Sequence, residues 1–400
     1  MKKKFLSLML AMTMVLGLAA CGGQEESTGD TSGETADNTA SEAPAEGTAF
    51  KLGGTGPLTG GAAIYGNAAY RGAQIAVDEI NAEGGAIQFD LRYEDDQHDA
   101  EKAVNAYNIL KDWGMQISLG SVTSKPGEAT SVENYEDRIF ALTPSASSQA
   151  TTEGKDNVFQ MCFMDPNQGT ASARYIDEQD LGTKIAIIWK NDDVYSKGIH
   201  DNFVEEAEAR GLEIVSDTTF ATGNDTDFSV QVADAQSNGA DLVFLPIYYT
   251  PASLILSQAN SVGYDPAWFG VDGMDGILTM DGFDATLAEG VMLLTPFNAD
   301  AEDEKTQSFV TKYEEQFGET PNQFAADAYD CIYAYYQALT NANATPDMDA
   351  ETLCGLMQEQ FTSMTFTGLT GTDMTWDATG AVSKEPRGMV IQNGAYVGMD

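Results

Sequence analysis

Basic residues are scarce in this chain of 400: 20 Lys+Arg stand against 62 Asp+Glu, a formal net charge of −42. A field of that sign repels nucleic acid and anionic membrane surfaces, so nucleic acid is not expected as a partner. The plain reading of the acidic excess is a well-solvated surface. Two histidines and four cysteines leave little material for a transition-metal site or for histidine-based catalysis. No metal and no cofactor are therefore expected. G-x-x-x-x-G-K-[ST], G-x-S-x-G, H-E-x-x-H and S-x-x-K are all missing, and His98 and His200 lie in polar stretches that read as surface. An enzyme would need a nucleophile with its base, and none is legible. Dinucleotide binding fails on spacing. From Gly54 the glycines read GTGPLTG, one residue longer than G-x-G-x-x-G, and the first acidic cluster, Glu94-Asp95-Asp96, lies far past the usual ~20 residues.

Long apolar runs are confined to the first residues. Lys2, Lys3 and Lys4 precede an apolar stretch from Phe5 to Leu18 that is short for a membrane span. Leu18-Ala19-Ala20-Cys21 resembles a bacterial lipobox, so residues 1–20 read as a signal peptide and Cys21 as the lipidation site. Multiple acyl chains on such a cysteine would anchor the chain to the cell membrane from outside the cytoplasm. Residues 21–48 have no aromatic or large aliphatic side chain. They cannot bury enough surface to offset ordering, and read as a flexible acidic tether.

Four hundred residues exceed what one core usually supports, which predicts about two domains. The organising stretch is FKLGGTGPLTGGAAIYGNAAYRGAQIAVDEINAEGG, Phe50 to Gly85: an extended run, a glycine-rich turn, then an amphipathic helix stopped by Gly84 and Gly85. Strands are predicted at Gln88–Tyr93, Ile117–Leu119, Ile139–Thr143, Lys184–Trp189, Leu212–Phe220, Leu242–Ile247, Trp268–Gly270 and Val291–Leu294. Helices are predicted between them, one of them capped by Thr250-Pro251. Continuous apolar runs such as IAIIW suit parallel strands covered on both faces. This alternation predicts an α/β fold. The tail differs, with helices expected at Glu302–Phe317, Asn322–Asn341 and Ala350–Gln360.

Ligand sites in open α/β sheets form beyond the carboxyl ends of the strands. Those ends carry Ser124, Ser145, Ser147, Tyr195, Tyr248, Tyr249 and Asp272. Each alone is ordinary, since loop serines usually cap and tyrosines usually pack. Together they offer hydroxyls, aromatic faces and one carboxylate where a small zwitterion could bind.

GPLTGGAAIYG, INAEGG, YEDDQHD and FTGLTGTDMTWD, in this order and spacing, resemble the type I periplasmic-binding-protein family. Within it the chain is similar to the leucine/isoleucine/valine-binding receptors of ABC transporters, over about Phe50 to Gly394. The resemblance implies two Rossmann-like lobes joined by three crossovers, near Met164–Asn167, Thr295–Asn298 and Thr367–Gly371. Residues 49–164 and 298–367 would form lobe 1, residues 165–297 and 368–400 lobe 2. It implies that Ser124, Ser145 and Ser147 hold the α-carboxylate of an amino acid. Tyr65 would line the side-chain end, Phe324 would be a further pocket aromatic, Tyr195 would face the ligand, and Asp272 would hold the α-ammonium. Either Tyr248 or Tyr249 fits the remaining position. The partners implied are an amino acid, branched-chain or related, and a membrane permease served by a monomer; a ligand-sensing role on the same fold is the other reading. Asp272 is one methylene shorter than the family's glutamate, Ser196 replaces a glycine, and Lys125-Pro126 is unusual, which weakens leucine specificity.

Two smaller expectations complete the reading. Asp95, Asp96, Asp99 and Glu101 lack the EF-hand pattern and read as a solvated turn and helix start. Cys331 and Cys354 are the pair to test for a disulfide, with buried free thiols the equal alternative.

Overall fold

The computed structural model describes residues 48–399. Two sheets form its two lobes. The first holds β1 (Phe50–Gly56), β2 (Phe89–Asp95), β3 (Ile117–Ser121), β4 (Ala141–Thr143) and β5 (Val158–Gln160), all parallel, in the order β2-β1-β3-β4-β5. The second holds β6 (Lys184–Lys190), β7 (Glu213–Phe220), β8 (Leu242–Leu245), β9 (Ala267–Gly270), β10 (Met292–Leu294), β11 (Gly388–Gln392) and β12 (Ala395–Gly398). Its order is β12-β11-β10-β9-β8-β6-β7, parallel except where β11 and β12 add antiparallel. The α/β alternation read from the sequence is the observed one. β11 and β12 are the short β-like pieces expected toward the C-terminus, while the three-residue β5 was not foreseen.

The strands are apolar on both faces because helices cover both. α1 (Ala63–Ala82), α2 (Ala100–Trp113), α3 (Ser124–Glu136) and the short α4 (Gln149–Thr152) belong to the first sheet. α5 (Asp165–Glu178), α6 (Val194–Arg210), α7 (Ser229–Ser237) and α8 (Tyr249–Ser261) belong to the second. α9 (Glu304–Phe317), α10 (Gln323–Asn341) and α11 (Ala350–Phe361) return to the first, where the Tyr335 hydroxyl donates to the Ser118 carbonyl on β3. α1 and α10 pack backbone to backbone: a Cβ on Gly72 would lie 2.0 Å from the Ala325 carbonyl oxygen. Only glycine permits that approach. Among the described residues no helix is long and apolar enough to cross a membrane.

Three local expectations change, and the open alternative at the cysteines resolves to free thiols. Tyr248, not Thr250, is the N-cap of α8, so Thr250-Pro251 falls inside its first turn. Cys331 and Cys354 form no disulfide; both are buried free thiols, as is Cys162. Cys331 and Cys354 sit in an apolar core where a thiol packs as a small hydrophobe. Asp96 is not solvated but wholly buried, while Asp99 caps α2 by accepting from the Lys102 N–H at 3.0 Å. Finally, the chain re-enters the second lobe later than Thr367–Gly371. The Trp376 indole donates to the Gln160 carbonyl at 2.8 Å, and the Gln160 N–H donates to the Gly380 carbonyl at 2.9 Å. Residues past 371 thus still pack on β5, and the passage falls just before β11.

Candidate functional site

Each sheet has one point where the chain reverses its direction of winding. In the first, β1 lies between β2 and β3; in the second, β6 lies between β7 and β8. At such a point neighbouring connections leave on opposite faces, and a crevice opens beyond the strand ends. Tyr65 follows β1, Ser124 opens α3 after β3, Tyr195 stands in the first turn of α6 after β6, and Tyr248 follows β8. The two crevices face one another.

Between them lies a cavity closed down to about 10 Å³, the space of one water. Its walls include Tyr65, Ser124, Ser145, Tyr195, Tyr248, Asp272 and Phe324, seven of the nine residues singled out from the sequence. Ser147 and Tyr249 do not reach it. Ser147 sits behind Ser124, hydroxyl to hydroxyl at 3.5 Å. Tyr249 turns its ring edge-on to Tyr65 at 4.9 Å and lines a separate groove with Arg71 and Asn67. Of the two tyrosines between which spacing left the choice open, Tyr248 is the one that lines this cavity.

One wall is anionic. The Tyr195 hydroxyl donates to Asp272 Oδ1 at 2.5 Å and accepts from the Gly273 N–H at 2.9 Å. The Asp272 N–H donates to Gln168 Oε1 at 3.1 Å, and the Gln323 amide donates to the Asp272 carbonyl at 3.0 Å. Burial pushes the Asp272 carboxyl up to about 7, against the Tyr195 and Gln168 hydrogen bonds that pull it down. The opposite wall is the start of α3. Its N-cap, Thr123, gives no side-chain bond to the helix, because its hydroxyl pairs with His98 Nδ1 at 2.9 Å. First-turn N–H groups and the Ser124 and Ser145 hydroxyls thus present donors to one point, the arrangement that suits an anion.

Contacts across the cleft hold the lobes together. The Tyr65 hydroxyl donates to the Gly273 carbonyl and accepts from the Tyr249 N–H at 3.1 Å. Thr250 Oγ1 donates to the Gly61 carbonyl at 2.7 Å. Tyr65, Tyr248 and Phe324 form one aromatic group, with centroids 5.5 and 4.5 Å from Tyr65.

The histidines are not the surface residues expected. His200 is buried, with Nε2 3.1 Å from Asp217 Oδ2 and its ring stacked at 4.0 Å on Trp189. His98 is half-buried in the cleft, edge-on to Tyr248 at 5.4 Å. Sequence reasoning also missed Thr123, Gln168 and Asp193. Asp193 alone left a signal, as a polar residue just before a helix: its Oδ1 caps α6 by accepting from the Tyr195 and Ser196 N–H groups.

A family model described as periplasmic binding protein matches residues 49–395. This chain belongs to that family. Among curated relatives, the Leu/Ile/Val-binding protein BraC3 of Rhizobium johnstonii is 31% identical over 54% of this chain; the match spans 60% of that protein, so the chain covers less than two thirds of it. A leucine-, isoleucine-, valine-, threonine- and alanine-binding protein of Pseudomonas aeruginosa is 26% identical over 76% of this chain and 82% of its own. Among solved structures, the branched-chain amino acid transporter substrate-binding protein LivJ of Streptococcus pneumoniae, in complex with isoleucine, is 28% identical with a TM-score of 0.79, over 87% of this chain and 97% of that one. The leucine-binding protein LivK of Thermotoga maritima, at 24% identity and a TM-score of 0.78, shares the fold over 88% of this chain and 98% of that one. This periplasmic binding protein is thus similar to the leucine/isoleucine/valine-binding group.

Proposed function

We propose that this periplasmic binding protein is the extracytoplasmic substrate-binding lipoprotein of an ABC importer and takes an amino acid between its lobes. It works by binding rather than catalysis, hands its ligand to a membrane permease as a monomer, and is held to the membrane through lipid on Cys21, which lies outside the described residues. Residues 49–164 and the 298–367 segment, extended by the stretch that packs on β5, move as one lobe; 165–297 and the final strands move as the other.

The observation that carries this reading is the facing of unlike groups across one cavity. The Ser124 and Ser145 hydroxyls and the α3 N-terminus face the Asp272–Tyr195 pair, each from a different lobe. A carboxylate suits the first and an ammonium the second, through charge-assisted hydrogen bonds. A ligand lacking either charge would leave a buried group unpaired, which is costly. Because the two ends touch different lobes, the ligand binds the closed form better than the open one, and that difference drives closure.

Thermal-shift screening of the chain lacking residues 1–20 against the amino acids tests the reading. At a hundredfold excess over Kd a true ligand adds ~2.7 kcal/mol, a clear rise in Tm. No shift with any of them would overturn it.

A further inference from the structure

We infer that the ligand is an acidic amino acid whose second carboxylate lies against Lys190 in a side chamber of the cleft; this rests on the amino-acid reading above. The chamber holds about 190 Å³ and lies behind the Tyr195–Tyr248 pair, which lines both it and the central cavity. The two rings stack at 4.6 Å and 6°. Lys190, His98, Asp193 and Phe220 supply the rest of the wall that matters.

Length comes first. Tyr195 spans from one site to the other: its hydroxyl is on Asp272, while its N–H donates to Asp193 Oδ1 at 3.0 Å. The chamber therefore begins one tyrosine side chain from the acid assigned to the ammonium.

Charge comes second. In a chain so rich in carboxylates, the Lys190 ammonium makes no ion pair or hydrogen bond among the described residues, although its charge is felt by the exposed Asp192 carboxylate two residues on. Its backbone is fixed, since its N–H donates to Ser196 Oγ at 2.8 Å. Burial chiefly depresses the basicity of His98, and Lys190 and Lys125, the latter on the other lobe and likewise without an ion pair, add to it, so both cations bear on one imidazole. Asp193 and Asp99 oppose them there. Asp193, however, is committed: Oδ1 caps α6, and Oδ2 stands 3.9 Å from His98 Nε2. Asp225, half-buried, also lines the chamber.

Backbone geometry comes third. Gln97 and His98 have φ values of 52° and 58°, a left-handed pair without glycine. Asp95 and Asp96 carboxylates hold it by accepting from the Gln97 and His98 N–H groups at 3.0 and 2.9 Å. Strain of this kind is retained where a side chain must be aimed. Here it points His98 between Thr123 and the chamber, so that an anion on Lys190 would bridge the two lobes.

The test is titration calorimetry of the chain lacking residues 1–20 with glutamate, aspartate, glutamine and leucine, on wild type, Lys190→Gln and Lys125→Gln. An acidic ligand is expected to bind about tenfold tighter than glutamine, and Lys190→Gln should erase that preference while unliganded Tm stays put. Lys125→Gln should reduce it in part. Leucine or glutamine binding as well as glutamate, or a preference that survives Lys190→Gln, would overturn the inference and leave the amino-acid reading standing. No binding of any amino acid would defeat that reading, and the inference with it.

Discussion

The Tyr195 hydroxyl reaches Asp272 Oδ1 at 2.5 Å, joining the first turn of α6 to the loop after β9. This bond fixes where the acid points, and it makes Asp272 the group whose loss should be felt most by a ligand ammonium. Asp272→Asn is expected to weaken amino-acid binding by at least about tenfold, ~1.4 kcal/mol, in calorimetry. Unliganded stability should not fall, because the substitution removes a desolvated carboxylate. Unchanged affinity would take Asp272 out of the site.

Protonation gives a second prediction. Burial pushes Asp272 and Asp96 up to about 7, and Asp275 and Asp327 up to about 6, with Lys384 pulling Asp327 back down. Between the ordinary carboxylate range and these values the folded chain binds more protons than the unfolded one. Stability is then full at low pH within this window and is lost as pH rises toward 7. Asp272 alone accounts for about 2 kcal/mol between pH 5 and 7. Calorimetric Tm should fall from pH 5 to pH 8, and less steeply in Asp272→Asn. A flat profile, or an equal slope in the variant, would contradict it.

Tyr65 bears on closure. Its hydroxyl serves both the Gly273 carbonyl and the Tyr249 N–H, so Tyr65→Phe leaves two groups across the cleft without their partner. We expect a larger radius of gyration for the unliganded variant in small-angle scattering. Ligand affinity should drop severalfold, ~1 kcal/mol.

Lys384 and Asp327 form a salt bridge at 2.6 Å with both side chains 2% exposed. Thr370 Oγ1 takes a second Lys384 hydrogen bond at 2.6 Å and donates to Asp330 Oδ2 at 2.7 Å. Lys384→Met should cost about 3–5 kcal/mol in urea denaturation by stranding Asp327. Adding Asp327→Asn should restore part of it. A loss below 1 kcal/mol would mean that the pair behaves like an exposed one.

The alternation of strand and helix was legible because parallel strands such as IAIIW are apolar throughout and their helices end at glycines such as Gly211 and Gly263. β5 was not, since its three residues carry no period. Tyr248 and Tyr249 could not be separated by counting: a helix that starts two residues earlier than Thr250-Pro251 suggests turns one ring into the cavity and the other away. His98 looked like surface because its neighbours are charged; a left-handed turn held by Asp95 and Asp96 folds it inward.

By itself the sequence determined the α/β pattern, the family resemblance and which chemistry gathers at the strand ends, because periodicity and position along a strand are local properties. Tertiary structure alone decided that Asp272 and Ser124 share one cavity, that Lys190 lines a separate chamber with Tyr195 and Tyr248, and that the three body cysteines remain thiols. These depend on how two lobes distant in sequence meet, and on the burial that meeting imposes.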